Sequence, residues 1–198
     1  GDTNAAGTWP AWFGTASAIG TAFLVIPIVT KLSVKFGKKN AFIIATLISI
    51  IGYVLKWWGF DPDNLWLMFM PIPFLSFGIG GLFTLMMSMT ADVCDLDELN
   101  NGERREGMFG AVYWWMVKLG IAIAMLTSGV VLHLVGFDES IDVQSMETLT
   151  NLRLADIIIP VVTAIMAIII VWKYDITEGK ALAIRKALIT RRGKVKHQ

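Results

Sequence analysis

The chain has 198 residues, of which 55% are hydrophobic and 17% charged, with a mean hydropathy of +0.62; soluble domains carry roughly a quarter charged residues, so a water-soluble globule and a disordered chain are both excluded. The 17 Lys and Arg against 16 Asp and Glu leave a net charge of +1, with no basic excess for nucleic acid. One cysteine and two histidines exclude a disulfide scaffold and a multi-thiolate metal centre, which leaves an all-α, polytopic membrane protein with the lipid bilayer as its first partner.

A spanning helix needs about 20 mostly apolar residues, because the hydrocarbon layer is about 30 Å thick and each helical residue rises about 1.5 Å. Five stretches meet this condition, near residues 11–32, 41–58, 65–90, 108–135 and 155–172. They form a transmembrane bundle over residues 1–174, and residues 175–198 form a basic tail with a short amphipathic helix. No period-two alternation competes with the helical reading. Pro27, Pro71, Pro73 and Pro160 fall inside or near the ends of these runs, where they kink a membrane helix without abolishing it.

The first span is preceded by Gly1 to Pro10, which has neither an initiator methionine nor the basic and apolar regions of a leader. It reads as a loop that follows an earlier helix, so the chain is expected to be a piece of a longer protein. Between the first two spans lie Lys31, Lys35, Lys38 and Lys39; Arg104 and Arg105 lie between the third and fourth, and further basic residues run from Lys173 to Lys196. The opposite side holds only Lys56 and Arg153, with the acids Asp2, Asp61, Asp63, Asp138, Glu139, Asp142 and Glu147. Loops rich in Lys and Arg stay in the cytoplasm, so Gly1 is expected outside and the C-terminus inside, in a plasma membrane of the bacterial inner-membrane kind. Trp9, Trp12, Trp57, Trp58 and Trp66 mark the outer boundary and Trp172 the inner one.

The third span contains Gly78-Ile79-Gly80-Gly81, a small-residue surface suited to close helix packing, with Phe83 beside it. It ends in a segment dense in both charges, Ala91 to Gly107. As a connector between two membrane helices, its Asp92, Asp95, Arg104, Arg105 and Glu106 can pair in one conformation and part in another, which is how an alternating-access protein latches a gate. Cys94 among them reads as an inert small residue.

Lys118 is the most informative residue of the fourth span. It lies eleven residues beyond Gly107, about 16 Å into the layer, where a lysine costs about 2.5 to 3.5 kcal/mol and therefore faces a polar cavity or a partner. No carboxylate of the chain shares its depth. Trp114 lies one turn before it on the same face, with Tyr113 and Trp115 adjacent. Aromatic faces pack on the C–H faces of sugars while a cation donates to hydroxyls, so Lys118, Trp114, Tyr113, Trp115 and Phe83 are the candidate substrate-binding residues. His133 has no acid–base companions, and an enzyme is not expected.

The ordered set Ala91-Asp92-x-x-Asp95, Arg104-Arg105-Glu106-Gly107, Val117-Lys118-Leu119-Gly120 and Tyr174-x-Ile176-Thr177-Glu178 resembles the C-terminal half of the glycoside-pentoside-hexuronide:cation symporters, the melibiose-carrier group of the major facilitator superfamily. The resemblance implies that the five spans are helices 8 to 12 of a twelve-helix transporter. It further implies that Asp92, Asp95 and Arg105 take part in gating and that Lys118 lies near the sugar and cation sites. The expected partners are a sugar and the missing N-terminal helices, with no resident cofactor. The coupling cation, Na+ or H+, would bind mostly outside this chain. Leu96 departs from the family's usual aromatic after the second loop acid, as do Cys94 and the Asp97-Glu98 pair. A non-transporting membrane scaffold is the alternative of a different class.

Overall fold

A computed structural model describes residues 3–59, 64–141 and 143–195. Of the acids assigned to the outer side, Asp2, Asp61, Asp63 and Asp142 lie outside these described residues, as do Gly1 and Lys196. Every element among the described residues is helical. Five helical segments are long and apolar enough to cross a membrane: Thr8–Phe36, Lys38–Gly59, Trp66–Asn101, Glu106–Leu134 and Met146–Trp172.

The first segment comprises α1 (Thr3–Gly20), a π-helical turn (Thr21–Val25) and α2 (Ile26–Phe36). Pro27 lacks the N–H that an uninterrupted α-helix would donate to the carbonyl four residues earlier. The wider turn lies just before it, where a π-bulge can absorb that break. Gly37, at φ 80°, separates α2 from α3 (Lys38–Gly59) in a backbone region that side chains rarely enter.

A 3-10 turn over Leu65–Phe69 then leads through Pro71 into α4 (Ile72–Asn101). The sequence pattern places a span at 65–90 and a connector from Asp92 to Glu106. Instead, the regular α-helix begins at Ile72 and continues unbroken to Asn101, leaving only residues 102–105 as the turn. The physical reason is length: residues 72–90 already cross about 28 Å, so the remaining turns project beyond the hydrocarbon, where charged side chains are solvated and need no break in the helix. Gly102, left-handed at φ 83°, ends α4 by donating its N–H to Glu98 O at 2.9 Å.

The fourth and fifth segments are α5 (Glu106–Leu134) and α6 (Met146–Trp172). Ser145 caps α6, its hydroxyl accepting from the Thr148 amide at 3.0 Å. Lys56 and Arg153, assigned to outer loops, lie within the last turn of α3 and the early turns of α6. A short break leads to α7 (Glu178–Val195).

The core lies where α2, α3, α4 and the end of α6 meet: Val25, Val29, Ala41, Phe42, Ala45, Leu85, Met89 and Val171. The glycine run makes this approach possible. A Cβ on Gly81 would stand 2.8 Å from Ala45 Cβ, on Gly78 2.7 Å from Ser49 Cβ, and on Gly80 2.8 Å from Val25 Cγ1, so only hydrogen fits there. By contrast, α5 has no buried residue. A second cluster joins Ile176, Ala181, Ile184 and Leu188 to Val93, Leu96 and Leu99, so α7 packs its apolar edge on the projecting end of α4.

Candidate functional site

The projecting turns of α4 put Asp92, Asp95 and Glu98 three residues apart, and therefore on one helical face. That face is covered by basic residues from four other places in the chain. Asp92 is 2% exposed, and an ionised carboxylate in such a position is costly unless hydrogen bonds and opposite charge satisfy it. Lys38, the first residue of α3, donates to Oδ2 at 2.5 Å, and Arg185 of α7 donates to Oδ1 at 2.9 Å. The hydroxyl of Tyr174, just beyond α6, also donates to Oδ2, at 3.3 Å. One buried carboxylate thus ties α4 to α3, to the end of α6 and to α7. Burial, reinforced by the charge of Asp92, raises the Tyr174 hydroxyl well above its ordinary range.

Two turns along, Glu98 is also buried. It accepts from Arg104 Nη1 at 2.9 Å and from Arg192 at 2.6 and 3.1 Å, while Arg191 donates to its backbone carbonyl at 2.8 Å. Arg104 reaches Asp95 at 3.1 Å and Glu106 at 2.5 and 3.0 Å. These carboxylates, Glu106 foremost, hold its guanidinium even more firmly protonated than usual. Arg105 points elsewhere, donating through Nε and Nη2 to Asp97 at 2.9 and 2.5 Å, a two-pronged contact that favours its charge.

Of the residues expected to act together at this turn, Arg104, Asp95 and Glu106 are in one network, and Arg185 joins Asp95 to Asp92 through ion pairs of 3.5 and 2.9 Å. Arg105 meets neither Asp92 nor Asp95, because its partner is Asp97. The sequence reading missed Glu98, Lys38, Tyr174, Arg185 and Arg192. The signal for Glu98 was present, since it continues the three-residue spacing of Asp92 and Asp95, but it becomes visible only once the segment is read as helix.

The second group of candidates lies on α5. Tyr113 is half-buried and Trp114, Trp115 and Lys118 are exposed; the rings of Tyr113 and Trp114 meet edge to face with centroids 5.4 Å apart. Lys118 makes no ion pair with any described residue. Phe83, on α4, is 45% exposed. No hydrogen bond or ring contact among the described residues joins Phe83 or Lys118 to the aromatic pair.

A cleft of about 660 Å³ opens between α5 and α6, lined by residues including Gly120, Ile123, Thr127, Asp156, Pro160 and Thr163. None of the five substrate-binding candidates lines it. Asp156 in its wall receives Lys56 at 2.8 Å. No group of three or more His, Cys, Asp or Glu among the described residues could hold a metal ion.

A family model described as MFS/sugar transport protein matches residues 2–178. The chain is 29% identical over 154 residues to a glucuronide carrier protein homolog of Escherichia coli, a match covering 78% of the chain and 33% of that relative. Over 108 residues it is 32% identical to a putative glycoside/cation symporter of the same species, covering 54% of the chain and 24% of the relative. An isoprimeverose transporter of Lactiplantibacillus pentosus is 26% identical over 164 residues, or 82% of the chain and 34% of the relative. The chain therefore spans about a third or less of the length of these relatives.

Proposed function

The chain belongs to the family of MFS/sugar transport proteins, a family of multi-pass membrane carriers rather than enzymes, and from that premise we propose that it forms helices 8 to 12 of a secondary transporter. The transporter takes up a glycoside, pentoside or hexuronide with Na+ or H+ by alternating access. The observation that carries the reading is Lys118. It is an ammonium inside an apolar segment, on a helix that buries none of its own residues in this chain, with no carboxylate partner among the described residues. A cation in that position is tolerated where it faces a polar cavity, and the remaining helices of a full-length carrier would close that cavity over α5.

In this reading Lys118, Trp114, Tyr113, Trp115 and Phe83 contact the sugar, and Asp92, Asp95, Arg104, Arg105 and Glu106 act at the gate, with Glu98 added to them. The abundance of Lys and Arg at the α7 end supports a cytoplasmic location for that end. Lys118→Met in the full-length protein tests the proposal. Coupled sugar uptake is expected to disappear while membrane insertion is retained; normal sugar accumulation by the variant would reduce Lys118 to a packing residue.

A further inference from the structure

The α7 end of the bundle is electrically two-sided. On the α7 side, Arg104, Arg105, Arg185, Arg191 and Arg192 each have a carboxylate within 4 Å, supplied by Asp92, Asp95, Asp97, Glu98 or Glu106. Across the bundle, where α2, α3 and α6 end together, lie Lys31, Lys35, Lys39 and Lys173, and none of them has a carboxylate partner among the described residues. Asp175 lies nearby but is engaged by Lys180 at 2.8 Å.

The geometry of these lysines is defined. Lys39, half-buried in the first turn of α3, donates to Trp172 O, at the end of α6, at 2.5 Å, and its ammonium lies 5.7 Å from the centre of the Trp172 ring. Lys173 is the next residue of the chain. Lys35 stands on the other side of the Gly37 turn with its ammonium 5.2 Å from the Phe36 ring, and Lys31 is one turn before it on the same face. Trp172 is 66% exposed, Ile169 60% and Phe36 48%. Lys39 feels the charge of Asp175 at longer range, but an aromatic and aliphatic border beneath a group of ammoniums without ion pairs matches the depth profile of a phospholipid, with acyl chains against the apolar residues and phosphate at the lysines.

We propose that the mouth of the α3–α6 seam is a binding site for an anionic phospholipid headgroup, held by Lys39 and Lys173 with Trp172 at the interface and Lys35 at its edge. The lipid phosphate supplies the counter-charge that the acids of α4 supply on the other side. A docked lipid also bridges the start of α3 to the end of α6, the same two elements that Lys39 joins through the Trp172 carbonyl.

The test is lipid occupancy of the full-length protein purified in detergent, read by native mass spectrometry after adding phosphatidylglycerol or phosphatidylethanolamine. Wild-type protein is expected to retain phosphatidylglycerol in preference, and Lys39→Gln combined with Lys173→Gln is expected to lose one bound copy. Lys39→Arg with Lys173→Arg should keep it, as should Lys186→Gln on α7. No preference between the two lipids in the wild type overturns the proposal, and so does unchanged occupancy in the glutamine pair or loss in the arginine pair. Displacement of the lipid by inorganic phosphate at equal concentration also overturns it, because the site would then be for a free anion. If the glutamine pair fails to fold, the wild-type preference and the arginine pair decide.

Discussion

Glu98 and Arg192 meet through two contacts, 2.6 and 3.1 Å long, across 94 residues of chain. Together with the Arg191 bond to the Glu98 carbonyl, they fasten the far end of α7 to the last turns of α4, while Ile184 and Leu188 pack the middle. Removing Arg192 leaves the Glu98 carboxylate with Arg104 at 2.9 Å and the longer Arg191 ion pair at 3.8 Å. Arg192→Ala is therefore expected to release the C-terminal turns of α7 without unfolding α4. Amide exchange should speed up in residues 188–193 and not in 85–95, and uniform exchange across both would show that α7 is held by its apolar edge only.

Asp92 has the larger structural weight because it is buried and its three donors come from three elements. Asp92→Asn keeps the shape but leaves Lys38 without its counter-charge and Arg185 with only the 3.5 Å pair to Asp95, and breaking a buried pair costs about 3 to 5 kcal/mol. Because Arg185 is 46% exposed and can turn to water, the low end, about 3 kcal/mol, is expected. The melting midpoint of the detergent-solubilised protein checks this; a midpoint equal to wild type would mean that water already solvates the site.

Gly52 tests how closely α3 and α4 are fitted. A Cβ there would stand 2.8 Å from Phe74 Cβ and 2.9 Å from the Leu75 backbone nitrogen, and a backbone atom cannot swing aside as a side chain can. Gly52→Ala is expected to destabilise the bundle by about 1 to 3 kcal/mol, whereas Gly179→Ala on α7, with nothing within 4 Å, should leave the melting midpoint unchanged.

The turn before α6 should respond to acid in a defined direction. Asp138 accepts from the Ser140 hydroxyl at 2.6 Å and from its amide at 2.8 Å, and these bonds hold its carboxyl below the usual carboxylate range. A carboxyl that titrates lower when folded contributes stability in full above its unfolded pKa of about 3.9. That contribution declines as pH falls through the lower, folded value. The Ser140 amide resonance should therefore move only in strong acid, and in Ser140→Ala the Asp138 carboxyl should titrate closer to its ordinary value.

Orientation is checked with impermeant thiol reagents. An engineered cysteine replacing Lys186 on α7 should resist labelling in intact cells, while one replacing Ser140 should react; the reverse pattern would place α7 outside.

What the sequence determined by itself was everything that depends on local composition. Hydropathy summed over a window gave the helical, membrane-spanning character, and Gly78, Gly80 and Gly81 marked a close-packing surface before any partner was known. Ordered motifs from Asp92 to Glu178 carried the family resemblance. These are legible because each depends on residues near one another in the chain. Tertiary structure alone decided which charges pair. Lys38 finds Asp92 across 54 residues and Arg185 finds it across 93, and Arg105 takes Asp97 while its neighbour Arg104 takes Glu98. An ion pair is chosen by which helix ends pack side by side, and that is set by the steric fit of glycine and alanine surfaces in the core rather than by the charged residues themselves.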